Sequence, residues 1–283
     1  MLTSQITGKV INEETKEPIP YVNIWVQGED MGTTSAENGN FVLDINSDNL
    51  SLVFSAIGFE TKSISVSENL ENITLQPKFT ELQEVIVSAS KENKETIVGK
   101  FKRSKISRFF GASNQPKIWA RHFPYRSEYD ETSFLKFIKI FTISNDADCK
   151  FNIRFYSVKD DGSPGEFFYG KNIIATAKKG NKITEVNISD LNISFPVAGL
   201  FVAFEWLIVE ENKYEYTYKE GGKKFNDFGY NPSLGTISVE TNANGWMFFQ
   251  GKWQKVEKNY FSEDKGKGKE IYSVLAIELT LSN

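Results

Sequence analysis

The stretch Gly32-Thr33-Thr34-Ser35-Ala36-Glu37-Asn38-Gly39-Asn40-Phe41, followed by Ser55-Ala56-Ile57-Gly58-Phe59, decides how this chain of 283 residues is read. Asn38-Gly39 stands between alternating segments, and both residues tolerate the positive φ of a two-residue type I′ turn, so the stretch predicts a β-hairpin. Short runs of strand character flank it: Ile6 to Ile11, Tyr21 to Val26, Phe41 to Ile45, Leu50 to Ala56, Ile64 to Val66 and Ile73 to Leu75. Their spacing, roughly 8–12 residues, predicts a small all-β sandwich of about 80 residues. Gly32 and Gly58 fall where the chain must reverse. Thr33, Thr34 and Ser35 read as solvent-facing residues of a hairpin arm.

Gly8-Lys9-Val10, Pro18-Ile19-Pro20-Tyr21-Val22-Asn23-Ile24, the hairpin stretch and Ile57-Gly58-Phe59 follow one another in a single order. Together they resemble the carboxypeptidase-regulatory-like domain, a transthyretin-like β-sandwich. Leu82-Gln83-Glu84-Val85-Ile86-Val87-Ser88-Ala89 resembles the strand that follows it. The resemblance covers residues 1–90, about a third of the chain. It implies a protein of the Bacteroidota cell envelope, periplasmic or associated with the outer membrane, where such domains often precede TonB-dependent uptake receptors. Those receptors continue into a 22-stranded barrel, which a chain of 283 residues does not build, so no transporter role is implied. Met1-Leu2-Thr3-Ser4-Gln5 has neither the basic nor the apolar region of a signal peptide, so export rests on the resemblance alone.

Composition bounds the remainder. The chain is 40% apolar and contains no run of 18 apolar residues, so no transmembrane helix is expected. Residues 1–90 carry 4 basic and 13 acidic side chains, whereas residues 91–108 carry 7 basic and 2 acidic. Residues 91–112 therefore read as a basic linker. Ile97, Val98, Phe101 and Ile106 on one face predict a helix from Thr96 to Phe110. Its charge is that of a solvated element docked on an acidic neighbour, and without interleaved aromatics no nucleic-acid partner is implied.

Residues 113–283 predict a larger, jelly-roll-like β-sandwich. Its strongest strands are Lys117–Arg121, Phe134–Ile143, Phe151–Val158, Lys182–Ile188, Leu200–Val209, Thr236–Val239, Trp246–Phe249 and a half-buried terminal strand from Ile271 to Leu281. The polar segments Tyr218–Leu234 and Ser262–Glu270 read as exposed loops.

The residues that would carry chemistry are sparse. His122 is the single histidine and Cys149 the single cysteine. A catalytic zinc site, a Ser-His-Asp triad and an internal disulfide therefore all lack residues, and no metal or cofactor is expected. Cys149 reads as a buried thiol and His122 as a structural residue at a strand end. Asp160-Asp161-Gly162 lacks the ligand spacing of a calcium loop and reads as an acidic turn. Glu205 and Glu240 leave a hydrolase with paired carboxylates as a remote alternative. The main expectation is a non-catalytic binding or scaffold protein whose partner is an envelope protein or a glycan. For a glycan the candidate residues are the aromatics Trp246, Trp253, Tyr260, Phe228 and Tyr230, since exposed rings stack on sugars.

Overall fold

The computed structural model describes residues 4–47, 50–78, 94–240, 245–257 and 272–283. These form an all-β protein whose helical segments are single turns of 3-10 helix. Seven strands come first: β1 (Ser4–Asn12), β2 (Asn23–Val26), β3 (Gly32–Thr34), β4 (Asn40–Ile45), β5 (Ser51–Ser55), β6 (Lys62–Ser65) and β7 (Asn72–Leu75). They pair as a three-stranded sheet in the order β4-β1-β7 and a four-stranded sheet in the order β3-β2-β5-β6. Alternation in β4 places Phe41, Leu43 and Ile45 inside with Val42 and Asp44 outside. Those three join Val10 and Ile73 from their own sheet, and Ile24, Leu52 and Phe54 from the other, in one core.

The expected hairpin is a different object. Gly39 has φ +78°, and the Gly39 N–H donates to Ala36 O at 2.9 Å, so a tight turn is present. Its two arms belong to different sheets, however, because β3 pairs with β2 and β4 pairs with β1. The turn carries the chain from one sheet to the other.

Fifteen strands follow: β8 (Glu95–Val98), β9 (Ile106–Ala112), β10 (Ile118–Phe123), β11 (Phe134–Ser144), β12 (Cys149–Val158), β13 (Pro164–Phe167), β14 (Ile173–Ala177), β15 (Gly180–Asn187), β16 (Leu200–Trp206), β17 (Lys213–Glu220), β18 (Lys223–Val239), β19 (Gly245–Phe249), β20 (Lys252–Lys255), β21 (Tyr272–Leu275) and β22 (Ile277–Ser282). One sheet of seven runs β13-β12-β16-β10-β19-β20, with β14 on β12. One of eight runs β17-β18-β11-β22-β8, with β15 on β11 and with β9 and β21 on β18. A single core that includes Trp119, Phe151, Phe204, Trp206, Ile138 and Ile277 draws on both sheets.

The expected linker helix over 96–110 is absent. Residues 95–98 form β8 against β22, and 106–112 form β9 against β18, joined through a 3-10 turn. Thr96, Ile97 and Val98 are β-branched, and the pairing closes edges that a helix would leave open. The apolar spacing read as a helical face is equally that of two short strands. The terminal strand also differs from expectation. It is interrupted at Ala276, and both faces of β22 are buried, Glu278 and Thr280 included.

The first seven strands are fastened to the larger set along β3. Gly32 N–H donates to Asn114 O (2.9 Å) and Thr34 N–H to Ile208 O (3.1 Å). Ile208 N–H returns a bond to Thr34 Oγ1 (3.0 Å), while Thr33 Oγ1 donates to Ile208 O (3.2 Å). Thr33, Thr34 and Ser35 are therefore buried rather than solvent-facing. Their hydroxyls satisfy backbone groups along a covered edge, as burial of polar groups requires. Gly32 is needed for close approach, not for reversal: a Cβ there would lie 2.5 Å from Ile24 O and 2.7 Å from Pro116 Cδ.

Candidate functional site

Alternation along β12 and β16 places two sets of side chains on opposite faces of the seven-stranded sheet. Phe151, Ile153, Phe155, Val202, Phe204 and Trp206 enter the main core. Tyr156, Phe201 and Ala203 face the other way and form a second cluster with Ile118, Ala120 and the partly buried Trp246, Phe248 and Trp253. Asn152, Arg154 and Glu205 share the phase of this outer face, and the register sets Asn152 directly across from Glu205.

Glu205 is fully buried there and accepts three hydrogen bonds. The donors are Arg154 Nε (2.5 Å), Asn152 Nδ2 (2.7 Å) and Asn23 Nδ2 (2.5 Å). Asn23 belongs to β2, so the N-terminal unit completes the carboxylate's shell. Burial opposes the charge of Arg154, and the adjacent Glu205 carboxylate more than offsets it, so the guanidinium stays charged. An ion pair removed from water holds only when its remaining lone pairs and protons are also bonded, which the two asparagines provide for Glu205. Burial also pushes the Tyr156 hydroxyl up.

Beside this pair lies a cavity of about 170 Å³ at the seam between the two units. Asn23 and Ser55 line it from one side; Arg154, Phe167 and Trp253 line it from the other. The Arg154 guanidinium lies over the Phe167 ring, 5.2 Å from its centroid. Two buried polar atoms of the lining residues have no partner, Arg154 Nη1 and Asn23 Oδ1.

The expected site residues divide between two places. Trp246 and Trp253 are on the β19–β20 hairpin, turned at Gln250-Gly251, and both are half-buried in the outer-face cluster. Trp253 meets Tyr156 and Phe248 edge to face at 5.0 and 5.3 Å and lines the cavity. Phe228 and Tyr230 are on β18 of the other sheet, their rings 6.1 Å apart and nearly perpendicular. Burial holds the Tyr230 hydroxyl up at about 12. Tyr260 lies outside the described residues.

The segment Tyr218–Leu234, read as a loop, is ordered strand. Its first half and β17 form a two-stranded ribbon with Tyr214 opposite Gly229, Tyr216 opposite Asp227 and Tyr218 opposite Phe225. These residues share one face, so the rings form a row. Tyr214–Tyr216, Tyr216–Tyr218 and Tyr218–Phe225 centroids are 5.8, 6.3 and 5.5 Å apart, with planes inclined by 23–38°. Tyr216, Tyr218 and Phe225 are each 40–42% exposed. Gly229 leaves room for the Tyr214 ring, whose atoms would lie 3.0 Å from a Cβ at that position.

The remaining candidates are structural. Cys149 is a buried free thiol whose pKa burial raises. Asp160-Asp161-Gly162 is the turn between β12 and β13, where Asp161 accepts from the Ser163 backbone and hydroxyl and its pKa is thereby lowered. Glu205 is committed to its three donors, and Glu240 follows the end of β18 in the other sheet, so the two do not form a carboxylate pair. Among the described residues no group of three or more His, Cys, Asp or Glu converges as a metal site.

His122 stacks on Phe201 with centroids 4.9 Å apart, and burial lowers its pKa from 6.5. Its lowered folded value means that the neutral ring belongs to the folded state. This contribution is present above the unfolded value of 6.5 and is lost as pH falls below it. Unfolding midpoints measured from about pH 7.5 down to 5.5 should fall less steeply in His122→Phe than in the parent chain. Equal slopes would show that His122 does not contribute.

Comparison with known proteins bears on the first unit. Residues 6–87 match the family model described as the CarboxypepD_reg-like domain. The N-terminal unit is a CarboxypepD_reg-like domain. TonB-dependent receptor P3 of Formosa agariphila is 35% identical over 83 residues, which cover 29% of this chain and 8% of the receptor. TonB-dependent receptor P39 of the same organism is 32% identical over 96 residues, covering 34% of this chain and 9% of the receptor. The chain thus matches less than a tenth of the length of either. Among solved structures, the cysteine protease and lectin-like domains of Cwp84 from Clostridium difficile align over 96% of this chain and 61% of that one. The identity is 12% and the TM-score 0.40, and nothing about fold or ligand is transferred at that score.

The Arg154–Glu205–Asn23 cluster was missed in the sequence, although a signal exists. Arg154 and Glu205 are single charges inside the apolar runs Phe151–Tyr156 and Leu200–Trp206. A charge at such a position requires a partner.

Proposed function

We propose that this chain is a non-catalytic binding protein of the bacterial cell envelope, periplasmic or associated with the outer membrane. The CarboxypepD_reg-like domain acts as a fixed brace, and a jelly-roll-like larger unit, beginning with the strands that follow residue 94, presents the binding surface. The matched receptor segments support the envelope setting. The row Tyr214, Tyr216, Tyr218 and Phe225 carries the binding reading. Four rings on one exposed face of a ribbon offer apolar surface with phenolic hydroxyls at its margin, the combination that suits sugar rings. A glycan chain is accordingly the partner class, and the platform lies on the ribbon rather than on Trp246 and Trp253.

Co-sedimentation with insoluble and immobilised polysaccharides tests this. The full chain should bind at least one neutral glycan, and the double variant Tyr216→Ala, Tyr218→Ala should bind about tenfold more weakly. Its stability should change by less than about 0.5 kcal/mol, because both side chains are substantially exposed. Binding that the double variant retains would remove the ribbon as the platform. Absence of binding across a broad glycan panel would leave a protein partner.

A further inference from the structure

We propose that the cavity at the seam between the CarboxypepD_reg-like domain and the larger unit is a second binding site, specific for a single neutral, polyhydroxylated ring of monosaccharide size. The site is separate from the ribbon and does not depend on it. Three observations carry the inference: size, polarity and charge.

The cavity measures about 170 Å³. An apolar cavity of about 150 Å³ admits a benzene ring, so one six-membered ring with substituents is the scale of occupant this space takes. A second ring does not fit.

The polar atoms left over at this place are one donor and one acceptor. Arg154 Nη1 and Asn23 Oδ1 are both buried and unpartnered, on residues that line the cavity from opposite sides of the seam. Leaving such groups unpaired costs about 1–3 kcal/mol each, more for a charged one. A hydroxyl is the common ligand group that accepts from a guanidinium while donating to a carbonyl oxygen. Adjacent hydroxyls on one ring satisfy both atoms together. The apolar faces of such a ring then meet Trp253 and Phe167, which line the same space.

Charge selects against acids. Arg154 already has its counter-ion in Glu205, and Glu166 also lines the cavity. A carboxylate ligand would bring a further negative charge to a place that holds two. The neutral sugar is therefore favoured over the corresponding uronic acid. Because Asn23 and Ser55 come from one unit and Arg154 and Trp253 from the other, an occupant bridges the seam and strengthens it by mass action.

The test is titration of the full-length chain with neutral hexoses and pentoses, their methyl glycosides and the matching uronic acids. Intrinsic tryptophan emission and the melting temperature are read in parallel. At least one neutral sugar should shift both, with the uronic acid about tenfold weaker or silent. Free sugar and methyl glycoside binding alike point to the end of a glycan chain as a source; binding of the free sugar alone points to a free monosaccharide. Either result supports the site. Ser55→Phe, which fills the cavity, should abolish the response, and Trp253→Ala, on the hairpin at the sheet edge, should weaken it if Ser55→Phe does not fold. The ribbon variant Tyr216→Ala, Tyr218→Ala should leave it unchanged, which separates failure here from failure of the ribbon reading. No response to any neutral sugar up to its solubility limit would overturn the proposal. So would a response that survives both cavity variants, or an acid that binds more tightly than its neutral partner.

Discussion

Replacing Glu205 by alanine is expected to lower the stability of the chain by about 3–5 kcal/mol, the loss typical when one partner of a buried ion pair is removed. Arg154 is 2% exposed and Glu205 fully buried. The substitution leaves a guanidinium without its counter-ion and deprives the amide groups of Asn23 and Asn152 of their acceptor. Urea unfolding of the parent and the variant measures the loss. Glu205→Gln, which keeps the shape but not the charge, should fall between them. The double variant Arg154→Met, Glu205→Leu should recover most of the loss, because apolar residues of similar volume often replace a buried pair without penalty. A loss below about 1 kcal/mol for Glu205→Ala would show that the pair is effectively solvated.

Gly32→Val is expected to separate the two units. Its Cβ would meet the Ile24 carbonyl and the Pro116 ring, at 2.5 and 2.7 Å, so β3 must move away from Asn114 and Ile208. Overpacking of this kind costs about 1–3 kcal/mol, and more where the obstacle is backbone. Displacing β3 also breaks the hydrogen bonds that Thr33 and Thr34 make to Ile208. Small-angle scattering should report a longer particle, and limited proteolysis should cut between the units. An unchanged scattering profile would mean that β3 does not set their arrangement. Gly32→Ala, with the same Cβ but no branches, should show a smaller effect in the same direction.

Much of the architecture was written in alternation. Phe41, Leu43 and Ile45 announce β4, and Phe151, Ile153 and Phe155 announce the inward face of β12, because a half-buried strand has to alternate. The Asn38-Gly39 turn was equally legible, since positive φ favours few residues besides glycine. Which strands that turn connects was not. Pairing partners depend on segments far along the chain, and β4 chose β1 over β3.

Two readings failed because the local pattern was ambiguous. Ile97, Val98, Phe101 and Ile106 satisfy a helical stripe and also two strands, and open edges on β18 and β22 decided between them. The ribbon was taken for a loop because its outer part is exposed on both faces, and a strand that buries neither face carries no apolar alternation.

The sequence by itself determined an all-β chain, a CarboxypepD_reg-like N-terminal unit, and the lack of enough histidine and cysteine for zinc or triad chemistry. Those follow from short-range periodicity, turn chemistry and residue counts. Only the tertiary structure decided that Thr33 and Thr34 are buried, that Glu205 joins Arg154 and Asn23 across the seam, and that the exposed rings stand on the β17–β18 ribbon. Each of these joins residues remote in sequence, up to 182 positions apart for Asn23 and Glu205, and local spacing holds no record of such contacts.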